Sequence, residues 1–272
     1  MIRRCNYIIP FIFLLLVSNV GVAQNDSLFR FLNKIEYPIS SFTVNNLGEL
    51  FIINTNNQLK KYNEKGDSIG VFNLVTKYGK LTYVEAQNPW KTILFYEQYA
   101  TILLLDKYLN VLTNINLRNQ NIFKVKAVTI SYDNNIWLFD EQENKLKKID
   151  DSGKELFASN DFRNIFDTVP TPVKITDADG YVYLYDPQLG LYKFDYYGRF
   201  IARLPFLQWK TFAVLGKSIY GIDEENLYRF TPPIPIPEEV KLIEALKNNL
   251  SIKILNSRIY SLRDNILHIY SF

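Results

Sequence analysis

The chain has 272 residues and a net charge of +3 from 31 basic and 28 acidic side chains. That interspersed excess is too small to imply nucleic-acid or membrane binding by charge alone. The one Cys, Cys5, lies in the N-terminal apolar region. Downstream of it there is no thiol to serve as a nucleophile, a zinc ligand or an iron–sulfur ligand.

Tyr and Phe number 19 each, beside a single Met, a composition that suits pleated strands better than helices. At the N-terminus, Arg3 and Arg4 precede an apolar run over residues 7–17, and Gly21-Val22-Ala23 places small residues after it. This is the layout of a secretory signal peptide, with cleavage expected after Ala23. Ser18 and Asn19 interrupt the run before it reaches membrane-spanning length. A lipid-accepting Cys is missing after it. The mature chain, 24–272, is read as one exported domain without a further transmembrane helix, periplasmic or envelope-associated, or secreted.

Next come an extended segment over 28–35 and a strand over 39–44. From there one phrase repeats. An aliphatic residue and two often basic ones are followed by an aromatic or aliphatic residue and then Asp or Asn. It stands as Leu59-Lys60-Lys61-Tyr62-Asn63, Leu146-Lys147-Lys148-Ile149-Asp150 and Leu191-Tyr192-Lys193-Phe194-Asp195. Weaker copies begin at Ile102, Leu227 and Leu267, giving a period of roughly 42 residues. Three copies run on to Gly66, Gly153 and Gly198, as a tight hairpin requires.

Upstream of each phrase lies a polar turn and then an apolar strand, at 50–53, 93–96, 136–139, 182–185, 219–222 and 259–262. An earlier strand precedes each turn, at 39–44, 82–86, 125–130, 173–176, 211–214 and 252–255. Runs such as Val182-Tyr183-Leu184-Tyr185 do not alternate with polar residues, the texture of strands covered on both faces. Six such units predict an all-β, six-bladed propeller. The last unit stops one strand short, and the segment over 28–35 is expected to supply that strand and close the ring.

The fifth unit departs from this pattern. Thr231-Pro232-Pro233-Ile234-Pro235-Ile236-Pro237 is hostile to a central strand. Pro237-Glu238-Glu239 then reads as a helix start, with Val240, Ile243 and Leu246 along one face. A short helix over 237–247 is predicted, replacing or covering an outer strand.

The turn–strand–turn–strand–glycine units, such as Gly48-Glu49-Leu50-Phe51 through Gly66 and Asp179-Gly180-Tyr181-Val182-Tyr183 through Gly198, resemble those of six-bladed propellers with NHL-like repeats. The Asn-, Lys-, Ile- and aromatic-rich style is similar to exported propellers of Bacteroidetes-type bacteria. That resemblance implies a fold shared by many unrelated activities.

Enzymatic members of such a group, the lactonase-like propellers, hold a divalent cation in the central channel. Here Glu85 is the sole carboxylate on the six innermost strands, whereas Ca²⁺ takes 6–8 oxygen ligands. Asp177-Ala178-Asp179-Gly180 opens like a calcium loop but lacks its later ligands and reads as a turn. His268 falls on a strand face. No catalytic, cofactor or metal residue is assigned, and no cofactor is expected.

Lys126, Lys174, Lys210 and Lys253 stand at or near the start of the inner strand in four successive units. Quasi-symmetry would gather them round one channel mouth, as an anion- or acidic-partner-binding face, unless they extend outward at blade edges. The second basic series, Lys61, Lys148, Lys193 and Arg229, is expected on a solvated face of the third strand. The terminal Tyr270–Phe272 pattern also occurs in outer-membrane barrels, but these strands are short and apolar on both faces.

The leading functional expectation is a monomeric, non-enzymatic scaffold for a protein partner in an envelope assembly. A metal-dependent hydrolase or lactonase, and a carbohydrate or small-ligand sensor, are the alternatives.

Overall fold

A computed structural model describes residues 28–272; the expected signal peptide over 1–23 lies outside them. The described residues form six four-stranded antiparallel sheets. In the first five, the strands run outward in chain order. In the sixth, Ser251–Leu255, Arg258–Arg263 and Ile266–Ser271 are followed outermost by Arg30–Glu36. That N-terminal strand pairs antiparallel with Ile266–Ser271, from Arg30 opposite Ser271 to Glu36 opposite Ile266, with one irregularity between Phe31 and Asn33. Each sheet is a blade, and the first strands of successive blades ring a central channel.

Blade-on-blade stacking explains the unbroken apolar runs. Leu50–Asn54 and Ile136–Asp140 are buried along their whole length. Each core lies between two blades: Phe139, Leu146 and Trp137 of blade 3 pack with Val182, Leu184 and Phe194 of blade 4. Phe162, in the connection between these blades, stacks on Phe194 at 4.9 Å. Apolar side chains on both faces of a strand thus leave water, which is the main stabilising contribution here.

Stacking also overturns the solvated reading for two members of the second basic series, Lys61 and Lys148, whereas Lys193 is half-buried and Arg229 is exposed as expected. Lys61 is only 2% exposed. Its ammonium pairs with Glu49 at 2.8 Å, donates to the carbonyl of Lys107 at 3.1 Å and sits 5.2 Å over the Phe51 ring. Lys148 is buried against Trp137 and Tyr132 and pairs with Asp133 at 2.7 Å. Third strands sit between neighbouring blades, so these long stems pack and their heads find a turn carboxylate.

The recurring acid of the repeat is a turn-former. Asp106 Oδ1 accepts N–H bonds from Tyr108 and Asn110, both at 2.8 Å. Asp150 does the same for Ser152 and Lys154, and Asp195 for Tyr197 and Arg199. A second such series caps the next turn inward, in Asn54, Asp140, Asp186 and Asp223. A side-chain oxygen thereby satisfies turn N–H groups that no ladder reaches.

The short helix expected over 237–247 is corrected. Glu238–Lys241 is the outer strand of blade 5, paired with the third strand from Arg229 opposite Glu238 to Asn226 opposite Lys241. One 3₁₀ turn, Glu244–Leu246, follows it. The prolines end where the strand begins, so the ladder loses no donor to them. Val240, Ile243 and Leu246, spaced as on a helix face, all reach the blade 5–blade 6 core from this extended path.

Candidate functional site: the central channel and one turn face

All six blades contribute to a channel cavity of about 870 Å³. Its wall is uneven. The inner strands Val125–Ile130 and Lys174–Ala178 lie close together, as do Thr211–Leu215 and Ser251–Leu255. Between blades 4 and 5 the ring is looser, and there Tyr185, Trp209 and Phe212 border the cavity, largely buried in the core between the two blades; Tyr220 borders it from the blade 5–blade 6 side. Trp209 is held by stacking on Phe206 at 4.3 Å and on Tyr228 at 5.6 Å. Gly221 makes this possible, since a Cβ there would stand 2.2 Å from the indole.

Four charged side chains line this space from four blades: Glu85 from blade 2, Lys174 from blade 4, Lys210 at the start of blade 5 and Lys253 from blade 6. Burial pushes the Glu85 carboxyl above its usual range, against the N–H bond from Gln87 and the two lysine charges. Burial pushes Lys174 down to about 7, helped by the Lys253 charge and opposed by Glu85. Lys253 is likewise lowered by burial.

The Lys174 ammonium donates to the carbonyl of Phe212 at 2.6 Å and lies 4.4 Å from its ring centroid. Glu85 Oε1 accepts the Gln87 N–H at 2.8 Å. Gln87 reaches across to donate its amide to the carbonyl of Asp177 at 3.0 Å, tying blade 2 to blade 4. Among the described residues, neither Lys174 nor Lys253 forms an ion pair within 4.0 Å.

The four lysines singled out in the sequence therefore part ways. Lys174, Lys210 and Lys253 line the cavity, and Lys126 does not. Lys126 shares Glu141 with Lys124, at 3.2 and 2.9 Å. Lys210 pairs with Glu224 at 2.6 Å. Only Lys174 and Lys253 keep uncompensated ammonium groups in the channel.

Asp177 belongs to the inner strand of blade 4, and Asp179-Gly180 forms the two-residue turn, both with positive φ. Its carboxylate is filled by protein donors. Ser131, the Tyr132 N–H and the Trp137 indole reach Oδ2, while Tyr196 reaches Oδ1 at 2.6 Å. Among the described residues no group of three or more His, Cys, Asp or Glu comes together as metal ligands would, and Glu85 is the single carboxylate lining the cavity.

A second feature lies on the face built from turns that join inner to second and third to outer strands. Leu47, Trp90, Tyr108, Tyr132, Tyr197, Ile234 and Ile236 all project there, each more than half exposed. The Lys107 ammonium lies 5.0 Å over Trp90 and 4.8 Å over Tyr108, and Tyr132 stacks on Tyr196. On the opposite turn face, Leu74 and Leu250 are the described large apolar residues that exposed. The sequence reading missed this clustering, because its members lie in turns, at different offsets within the repeat.

Fold and channel define a six-bladed β-propeller. No protein-family model matches the chain, and no curated protein matches it. Solved structures do. Virginiamycin B lyase from Staphylococcus aureus superposes with a TM-score of 0.59 at 15% identity, over 85% of this chain and 79% of the lyase. BBS1N, solved in complex with ARL6, gives 0.58 at 10% identity over 90% and 97% of the two chains. PorZ, a surface component of the type-IX secretion system of Porphyromonas gingivalis, gives 0.51 at 12% identity. That match covers 88% of this chain and 33% of PorZ. At such identities the likeness is one of fold. Among the described residues no helix is long and apolar enough to cross a membrane.

Proposed function

We propose that this protein is an exported binding propeller that docks a protein partner in a cell-envelope assembly, without catalysing a reaction. The observation that carries the reading is the turn face bearing Trp90, Tyr108, Tyr132, Tyr197 and the Ile234–Ile236 loop. Large apolar and aromatic side chains left exposed together on one face are characteristic of interaction sites, and Trp and Tyr concentrate binding energy there. The basic start and small-residue cleavage site of residues 1–23 support export. Propellers with the same architecture occur in a complex with a protein partner and as a bacterial surface component.

The test is co-purification from cross-linked envelope fractions of cells making the wild-type chain, a Trp90→Ser/Tyr132→Ser/Tyr197→Ser variant, or a Leu74→Ser/Leu250→Ser variant. A partner recovered with the first and third proteins and lost with the second is expected. Equal recovery with all three would refute docking on this face.

One observation favours a second reading, a small-ligand sensor: the channel cavity that holds the unpaired ammonium groups of Lys174 and Lys253.

A further inference from the structure

Two steps of strand register define a rung that passes through every blade. The third residue of the repeated phrase, Lys61 in blade 1, pairs with Phe51, which pairs with Thr43 on the inner strand. The same path ends at Glu85 in blade 2, Thr129 in blade 3, Thr176 in blade 4, Ala213 in blade 5 and Lys253 in blade 6. All but the fully buried Thr129 line the channel cavity. Threonine recurs along this rung, so the two charged residues depart from it. Lys174, two residues before Thr176 on the same strand, adds a second ammonium group to the cavity wall.

These charges do not serve one another. Glu85 and Lys253 share a rung in the blades on either side of blade 1, yet form no ion pair within 4.0 Å, and Glu85 Oε1 accepts the Gln87 N–H. Lys174 has one hydrogen bond, to the Phe212 carbonyl, and Lys253 has no protein hydrogen-bond partner among the described residues. An ammonium group carries three donors, so both have protons to offer. Lys126 and Lys210, by contrast, are neutralised by Glu141 and Glu224. Lys174 and Lys253 are half-buried, within reach of solutes that enter the channel. A concave wall with excess charge of one sign concentrates counter-ions.

We propose that the channel is a binding site for a small oxyanion, a carboxylate or phosphate-type group held between the Lys174 and Lys253 ammonium groups, with Thr43 and Thr176 lining the same space. Charge-assisted hydrogen bonds supply the attraction, and a cavity of about 870 Å³ suits a small molecule. Glu85 opposes the anion and limits its affinity. The inference rests on the small-ligand reading of the channel and is independent of the docking face, whose exposed turn residues are different ones.

The site is most receptive when Lys174 is protonated, and burial lowers that lysine to about 7. Facing it are Lys253 from blade 6 and Glu85 from blade 2, while blade 5 offers the Phe212 carbonyl and ring, and Lys210 held by Glu224. On blade 3, Lys126 is held by Glu141. Tyr83, on the strand of Glu85, and Tyr185, opposite Lys174, stay neutral because burial raises their hydroxyls. Affinity for an anion therefore falls from pH 6 to pH 8.5, as Lys174 loses its proton.

Calorimetric titration of the folded mature chain at constant ionic strength tests the proposal, with sulfate and acetate as the tetrahedral and carboxylate probes and acetamide as the uncharged isostere. Saturable one-to-one binding of sulfate or acetate at pH 6 is expected, and the tighter of the two names the head group. Lys174→Met and Lys253→Met should each weaken it about tenfold, the loss of one charged hydrogen bond. Lys126→Met, outside the cavity, should bind like wild type. Glu85→Gln should bind more tightly, a gain that misfolding cannot imitate. Absence of saturable binding of both anions would overturn the site, as would undiminished binding in both lysine variants. Acetamide binding as tightly as acetate would overturn the anion while keeping a small-ligand pocket, and neither result touches the docking face.

Discussion

Lys174 of blade 4 donates its ammonium to the carbonyl of Phe212 in blade 5, 2.6 Å away, while standing 4.4 Å from the centroid of that residue's ring. One side chain thus bridges the loosest seam between inner strands, and does so with a charge that burial opposes.

The stability consequence has a definite sign. Burial lowers Lys174 to about 7 in the folded protein, well below the ordinary lysine value of about 10.4 in an unfolded chain. Between those values the unfolded chain binds more protons than the folded one, so stability rises with pH there. Below pH 7 the full cost of the buried charge is present, on the order of a few kcal/mol. Lys174→Met should melt above wild type at pH 6.5 and lose much of the wild-type gain between pH 7 and 9.5. Thermal melts followed by circular dichroism across that range check this; a variant that melts below wild type at pH 6.5 contradicts it.

The repeated turn acid should act chiefly through its acceptor oxygen, with its charge strengthening the turn bonds. Asn63 holds its turn through Oδ1 as Asp106 does, with Asp67 N–H donating at 2.8 Å. Asp106→Asn should therefore be tolerated, while Asp106→Ala should cost about 1 kcal/mol by losing the turn bonds. Urea unfolding of the two variants distinguishes the roles, and equal losses would argue for charge.

Acid should loosen the same turns. Asp106 and Asp195 are held below the usual carboxylate range: burial alone would raise them, and the turn N–H bonds outweigh it. Asp150 is lowered chiefly by the Ser152 hydroxyl and by turn N–H groups. A depressed folded pKa gives stability that is present above the unfolded value and is lost as pH falls through the folded one. Proteolysis at the outer hairpins should accelerate below about pH 4, before global unfolding by near-ultraviolet circular dichroism. Simultaneous loss would contradict a local role.

Gly221→Ala should be severely destabilising, by about 2–3 kcal/mol. Its Cβ would meet the Trp209 indole at 2.2 Å, and Trp209 has Phe206 and Tyr228 on its other contacts. The control Gly180→Ala meets no atom within 4 Å, though its φ of +81 still adds strain. Chemical denaturation should rank Gly221→Ala below Gly180→Ala; the reverse order would place the constraint in the backbone.

The fold was legible because each unit repeats a period and a hydrophobic texture that only stacked blades satisfy. All six apolar second strands lie within two residues of their expected bounds, such as Ile136–Asp140. The failures share a cause. Lys61 and Lys148 looked solvated because burial between blades is a tertiary property that charge conceals. Val240, Ile243 and Leu246 had helical spacing, yet pairing with the exposed edge at Asn226–Arg229 prevailed over it. The four-lysine pattern was visible, but its partners Glu141 and Glu224 lie in other strands and turns.

Site-specific photo-cross-linking in intact cells tests the central claim most directly. With benzoylphenylalanine in place of Tyr197, a discrete higher-mass adduct containing one protein partner is expected, and the same probe at Leu250 should give none. Adducts equal at both positions, or absent from Tyr197, Tyr132 and Trp90 alike, would contradict a binding propeller that works through this face.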